Sequence, residues 1–228
     1  MTKTKKLIIF GGGETADLAF HYFTDDSEYK VFAFTINKEY IESETKHEKP
    51  VVDFDIVETL YSPDEYEMFV AASSTNLNTI RTKMYRMAKG KGYILASYIS
   101  SHAYVGAEVE FGDNCFIMED NTIQSFVKIG NNVVLWSGNH IGHSGILHDN
   151  CFITSHVVLS GFCEVGSYTF IGVNSCVANN VKIGEKCLIA IGSIIVKDVK
   201  DNSIMKMAYA KQYPIPATKF YKVDDFNF

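Results

Sequence analysis

From Val105 onward an apolar residue returns at every sixth position. The series runs Val105, Phe111, Ile117, Ile123, Ile129, Leu135, Ile141, Leu147, Ile153, Leu159, Val165, Ile171, Val177, Ile183, Ile189 and Ile195, sixteen places without an exception. Neither the ~3.6-residue period of a helix nor the ~2-residue alternation of a half-buried strand has this spacing. A six-residue repeat predicts a β-helix, a triangular coil in which each repeat supplies one short strand and one turn. About three repeats close a coil, and coils stacked at roughly 4.8 Å make a prism about 25 Å long. The sixth residues point inward as its core.

A second register lies four residues after each anchor: Val109, Cys115, Val127, Val133, Cys151, Val157, Cys163, Thr169, Ser175, Val181, Cys187, Ser193 and Val199. Small or β-branched residues suit a tight inward corner. Asn121, Asn139 and Gly145 break this column, and buried asparagines require hydrogen-bond partners. Glycine often follows the anchor, as at Gly106, Gly112, Gly130, Gly142, Gly166, Gly172 and Gly184. Turns of positive φ are expected there.

The first part of the chain reads differently. "KKLIIF", "YKVFAFTI" and "EMFVAAS" read as strands, with helices at "TADLAFHYF" and "TIRTKMYRMAKGKG". Strands alternating with helices predict a small parallel α/β domain of Rossmann-like type. The expected boundaries are residues 1–97 for this domain, 98–204 for the β-helix and 205–228 for a C-terminal cap. Gly11, Gly13 and Ala16 form G-x-G-x-x-A after the first strand. The second strand ends in "FTIN" with no acid to take a ribose hydroxyl, which weakens the dinucleotide reading. What remains is a glycine-rich turn at a helix N-terminus, able to hold a phosphate or nothing.

Composition narrows the function. Hydrophobic content of 46% with 21% charged residues is that of a globular protein. A net charge of −6 disfavours a nucleic-acid partner. The start "MTKTKKLIIFGGG" lacks a secretory apolar core, and no run is long enough to span a membrane. A cytoplasmic protein is expected. Four of the five cysteines fall in the small inward register and are expected to be buried thiols.

Acid–base candidates concentrate in "NHIGHSGILH", residues 139–148, which holds three of the seven histidines. Together with "IIFGGGETADLA", "FITSHVVLSGFCEVGSYTFIGVNSCV" and "VKIGEKCLIAIGSIIVKDV", this stretch resembles the bacterial sugar acyltransferases of the sialic-acid O-acetyltransferase and bacillosamine N-acetyltransferase type. The resemblance implies a left-handed parallel β-helix, a homotrimer, acetyl-CoA as acyl donor and no metal. It also implies a nucleotide-linked amino- or deoxysugar acceptor used in surface-glycan synthesis.

Residue by residue, the resemblance implies His143 as general base, with the Gly161 N–H one coil above it near the acetyl group. The carboxylate that often follows the base is replaced by Ser144, leaving Ser144, Asn139 or a water to hold the imidazole. His156, Ala190 and Lys211 are the candidate CoA contacts. For the acceptor the candidates are Gly11, Gly13, Glu14, Thr15, Thr35 and Asn37, with His140 at a coil turn beside them. Trp136 is expected to face outward, in a trimer interface or the CoA cleft, and His148 to be an exposed turn residue. Two other readings stay open. Hexapeptide prisms carry zinc in γ-type carbonic anhydrases, and His143 and His148 have a usable spacing, although the third ligand position is Ala107. The prism is otherwise a non-catalytic binding protein.

Overall fold

The structure is a computed structural model and describes residues 2–207, 212 and 214–220. The N-terminal unit comprises β1 (Lys5–Phe10), α1 (Glu14–Asp25), β2 (Tyr29–Ile36), β3 (Thr45–Lys46), β4 (Lys49–Asp53), α2 (Val57–Leu60), β5 (Glu67–Val70) and α3 (Thr79–Gly90). The sheet order is β3-β4-β2-β1-β5. All neighbours are parallel except the β3–β4 hairpin. Leu7, Ile8 and Ile9 of the central β1 have no exposed surface, as expected for a parallel strand covered on both faces. The hairpin turns at His47 and Glu48, both with positive φ (48° and 59°). That geometry usually selects Asn-Gly, so the sequence carried no turn signal here.

From Tyr98 the chain winds into a three-faced prism. The first face runs from Tyr98–Ile99 through Phe116–Ile117, Val134–Leu135, Phe152–Ile153, Phe170–Ile171 and Leu188–Ile189 to Ile204–Met205. The second runs from Tyr104–Val105 through His140–Ile141 to Ile194–Ile195, and the third from Glu110–Phe111 through Ile146–Leu147 to Lys182–Ile183. Every strand pairs in parallel with the next on its face, so that Ile123 lies beside Ile141 and Ile141 beside Leu159. The anchors from Ile117 to Ile195 are buried, as are the cysteines of the second register. Val105 is 38% exposed because no coil lies beneath it.

The glycines after the anchors do not supply the positive φ. That conformation falls three residues after every anchor from Val105 to Ile189, at Glu108, Asn114, Asp120, Phe126 and onward, with only Gly138 and Gly192 glycine. The glycines answer another constraint. A Cβ on Gly106, Gly142 or Gly172 would come within 2.6 Å of the backbone nitrogen of the coil above.

The N-terminal domain packs across the first face. Tyr98, Phe116, Val134 and Phe152 point outward from the coil and are buried against it, with Phe116 5.2 Å from Phe69 between ring centres. One margin is fixed by Tyr22, which donates to Glu119. The other is fixed by Arg81 of α3, which is 1% exposed and donates to the carbonyls of Asn132, Asn150 and Cys151. The third face carries Glu110, Lys128, Glu164 and Lys182 toward solvent. The edge between the second and third faces therefore lies farthest from the N-terminal domain.

Candidate active site

That far edge carries His143. The strand His140–Ile141 delivers the chain to Gly142, His143 and Ser144, and Ser144 adopts φ 56°. His143 is exposed at the turn. Its backbone N–H donates to Gln124 Oε1 at 2.8 Å, and its Nδ1 lies 3.2 Å from the same oxygen. Phe162 of the next coil meets the imidazole edge to face at 4.9 Å.

Gly161 lies directly over the ring. A Cβ there would fall 2.5 Å from His143 Cε1 and 2.8 Å from Nε2. Only glycine leaves room for the imidazole in this position. The Gly161 N–H donates to no acceptor among the described residues. A side chain at Gly142 would sit 2.5 Å from that nitrogen. An imidazole and an uncommitted amide thus lie together on an open edge, the relation that proton transfer plus oxyanion stabilisation requires.

A second feature is a cleft of about 960 Å³ at the C-terminal ends of β1, β2 and β5. Gly11, Gly13, Glu14, Thr15 and Asn37 line it, joined by Lys46 and Lys83. Its place beside the central strand is where open α/β sheets take ligands. A Cβ on Gly11 would lie 2.3 Å from the Ala71 carbonyl oxygen, so the turn can pass only as glycine. Gly13 caps α1 without a side-chain hydrogen bond, which leaves first-turn N–H groups for a ligand.

Several expectations require correction. Asn139 does not reach the imidazole: it is buried, donates to Trp136 O and accepts from Val157 N. The Ser144 hydroxyl makes no hydrogen bond to His143 among the described residues, and the partner is Gln124. Thr35 is fully buried and donates to Val52 O, outside the cleft. His140 lies within a strand rather than at a turn, beside Thr122 and Val158 on the second face. His148 is exposed, as expected, but its Nε2 pairs with Glu164 at 2.9 Å and not with His143. Trp136 does point out of the coil, and it packs against the apolar cluster shared by the first face and the N-terminal domain, its ring 6.5 Å from Phe152.

His156 and Ala190 occupy the edge between the first and second faces. His156 stands over Gly138. One chain therefore does not bring these two residues to His143. Lys211 lies outside the described residues. Gln124, Lys46 and Lys83 were missed. Gln124 had one sequence signal, since it occupies a place after an anchor where glycine is frequent. The two lysines had none.

Among the described residues no group of three or more His, Cys, Asp or Glu is placed to hold a metal ion. No described helix is long and apolar enough to cross a membrane. Residues 108–143 match the family described as bacterial transferase hexapeptide (six repeats). The chain resembles a variant of perosamine N-acetyltransferase from Caulobacter crescentus, solved with CoA and GDP-perosamine. The TM-score is 0.76 at 24% identity, covering 87% of this chain and 92% of that one. It also resembles the acetyltransferase domain of PglB from Neisseria gonorrhoeae, solved with acetyl coenzyme A, at TM-score 0.78 and 20% identity over 88% and 95% of the two chains. WeeI from Acinetobacter baumannii matches at TM-score 0.64 and 16% identity, over 88% and 96%. These likenesses, with the stacked rungs, give the chain the fold of a Rossmann-like α/β domain followed by a left-handed parallel β-helix of hexapeptide repeats.

Proposed function

We propose that the protein transfers an acetyl group from acetyl-CoA to the amine of a nucleotide-linked sugar, in the cytoplasm and in the service of surface-glycan synthesis. The observation that carries this reading is the His143 imidazole lying against the free amide of Gly161. His143 takes the proton from the acceptor amine as its nitrogen bonds to the thioester carbonyl carbon. The Gly161 N–H donates to the oxygen while it carries negative charge. The C–S bond then breaks, and the proton held by His143 passes to the departing thiolate. Structures that share the fold support the substrate class: one was solved with CoA and GDP-perosamine and another with acetyl coenzyme A.

The cleft of the N-terminal domain is the proposed seat of the nucleotide, with Lys46, Lys83 and the α1 N-terminus facing its phosphates. That domain covers the first face, while His143 stands on the edge farthest from it. A second copy must therefore bring a nucleotide cleft to this edge. The exposed Tyr104, Val158 and Ile194 on the second face offer an apolar surface for it, consistent with a homotrimer. In that assembly His156 and Ala190 of one copy approach the His143 edge of the next.

The test is a panel of UDP-, dTDP- and GDP-linked amino sugars with acetyl-CoA, read as free thiol release. One or more sugars are expected to give release that disappears when the sugar is omitted. Release no faster with any sugar than without one would overturn the proposal.

A further inference from the structure

The base proposed above lacks the neighbouring carboxylate that would orient an imidazole, and the structure supplies a different partner. Gln124 stands one coil below, in the place that Gly106 and Gly142 occupy on the same edge. Its side chain reaches up to the turn of His143, where one oxygen meets two groups. The backbone N–H of His143 lies 2.8 Å from Gln124 Oε1, and Nδ1 lies 3.2 Å from it.

These two contacts remove the usual ambiguities of amide and ring. A backbone N–H can only donate, so the Gln124 atom facing it is the carbonyl oxygen and the amide is not reversed. A carbonyl oxygen can only accept, so the ring nitrogen facing it carries hydrogen. In a neutral imidazole the other nitrogen is then a bare acceptor. That nitrogen is Nε2; a Cβ on Gly161 would come 2.8 Å from it and 3.0 Å from Nδ1.

We infer that Gln124 is a positioning residue that holds His143 as the Nδ1–H tautomer and so leaves Nε2 as the free basic nitrogen beside Gly161. The effect on rate rests on the acetyl-transfer reading, but the tautomer does not. Gln124 also differs from a carboxylate in that it orients the ring without placing a negative charge beside it.

The test is long-range proton–nitrogen NMR on full-length protein labelled at histidine nitrogen, with the His143 signals identified by their loss in His143→Ala. Wild type is expected to show a protonated Nδ1 and an unprotonated Nε2. Gln124→Leu, with an unchanged melting temperature, is expected to lose that preference. Its kcat should fall about tenfold or more, with KM for the sugar within about twofold, since a base in the wrong tautomer loses far more than binding does. Gln124→Glu keeps an acceptor for both donors and is expected to restore the Nδ1–H form and a rate within about threefold of wild type. A wild-type spectrum with Nε2 protonated would overturn the inference even if the leucine variant failed to fold. So would an Nδ1–H form that persists in Gln124→Leu. Full activity in His143→Ala would instead sink the base assignment and leave the spectroscopic result standing.

Discussion

Two edges of the same prism are built from the same turn and put to opposite uses. Between the third and first faces, Asn114, Asn132 and Asn150 occupy successive positive-φ positions. Each amide donates to the next, Nδ2 of Asn114 to Oδ1 of Asn132 and Nδ2 of Asn132 to Oδ1 of Asn150, both at 2.8 Å. The backbone of Val70 closes the ladder at one end and the Thr82 hydroxyl at the other. Arg81 donates through Nε to the Asn132 side chain and shares its Nη2 hydrogens among three turn carbonyls. Between the second and third faces the corresponding places are Phe126, Ser144 and Phe162. No side-chain ladder forms there among the described residues, and the Gly161 amide stays uncommitted. Polar groups spent on one another hold domains together, whereas polar groups left open are available to a substrate.

Substitutions can break this comparison from either side. Arg81→Met should have the largest effect on stability. It strips donors from the Asn132 and Asn150 carbonyls at a buried site, which should cost about 3 kcal/mol. Chemical denaturation is expected to show that loss, and a midpoint equal to wild type would mean the margin is not held by this residue. Gly161→Ala drives a methyl into the imidazole. It should lower kcat by about 10²-fold, the scale of a misplaced catalytic group, while moving the melting temperature little. Gly166→Ala serves as its control, since its methyl meets the Glu185 backbone nitrogen of the next coil on a different edge and no histidine. Equal rate losses in both would show that coil stacking, not the imidazole, is what the glycine protects.

The smallest effect is expected at Asp17, which binds Lys46 and His47 and so ties the β3–β4 hairpin to α1. Burial pushes its carboxyl upward, but the bonds to Lys46 and His47 outweigh this and hold it below the usual range. A lowered folded-state value means that its stabilisation is present above about pH 4, the ordinary aspartate range, and is lost as acid titrates the folded form. Asp17→Asn should cost less than about 1 kcal/mol at neutral pH, as for other exposed pairs. Acid unfolding should show that difference shrinking below about pH 4. A difference that grows with acid would reverse the sign.

The prism was legible because its order is one-dimensional. Ile117 to Ile195 repeat in a fixed frame, and each rung's neighbour follows by counting, so His143 and Gly161 could be paired before any coordinates. Positive φ was not legible, because a turn embedded in stacked coils accepts Phe126, Tyr168 or Lys186 as readily as asparagine. The glycines that suggested it answer the coil above them. His156, a candidate CoA contact, is not a whole number of coils from His143 and so falls on a different edge. Thr35 and Asn139 looked available because side-chain bonding to a distant backbone leaves no trace in local spacing. The docking of α3 through Arg81 depends on contacts between segments far apart in the chain. One clue was present: Tyr98, Phe116, Val134 and Phe152 recur one coil apart, an outward apolar stripe that marks the covered face.

The most direct test compares His143→Ala with wild type, measuring kcat for acetyl transfer at saturating sugar alongside the melting temperature. An exposed general base on the open edge predicts a rate lower by about 10²–10⁴-fold with the melting temperature unchanged. A variant that keeps its rate within about threefold would contradict the assignment.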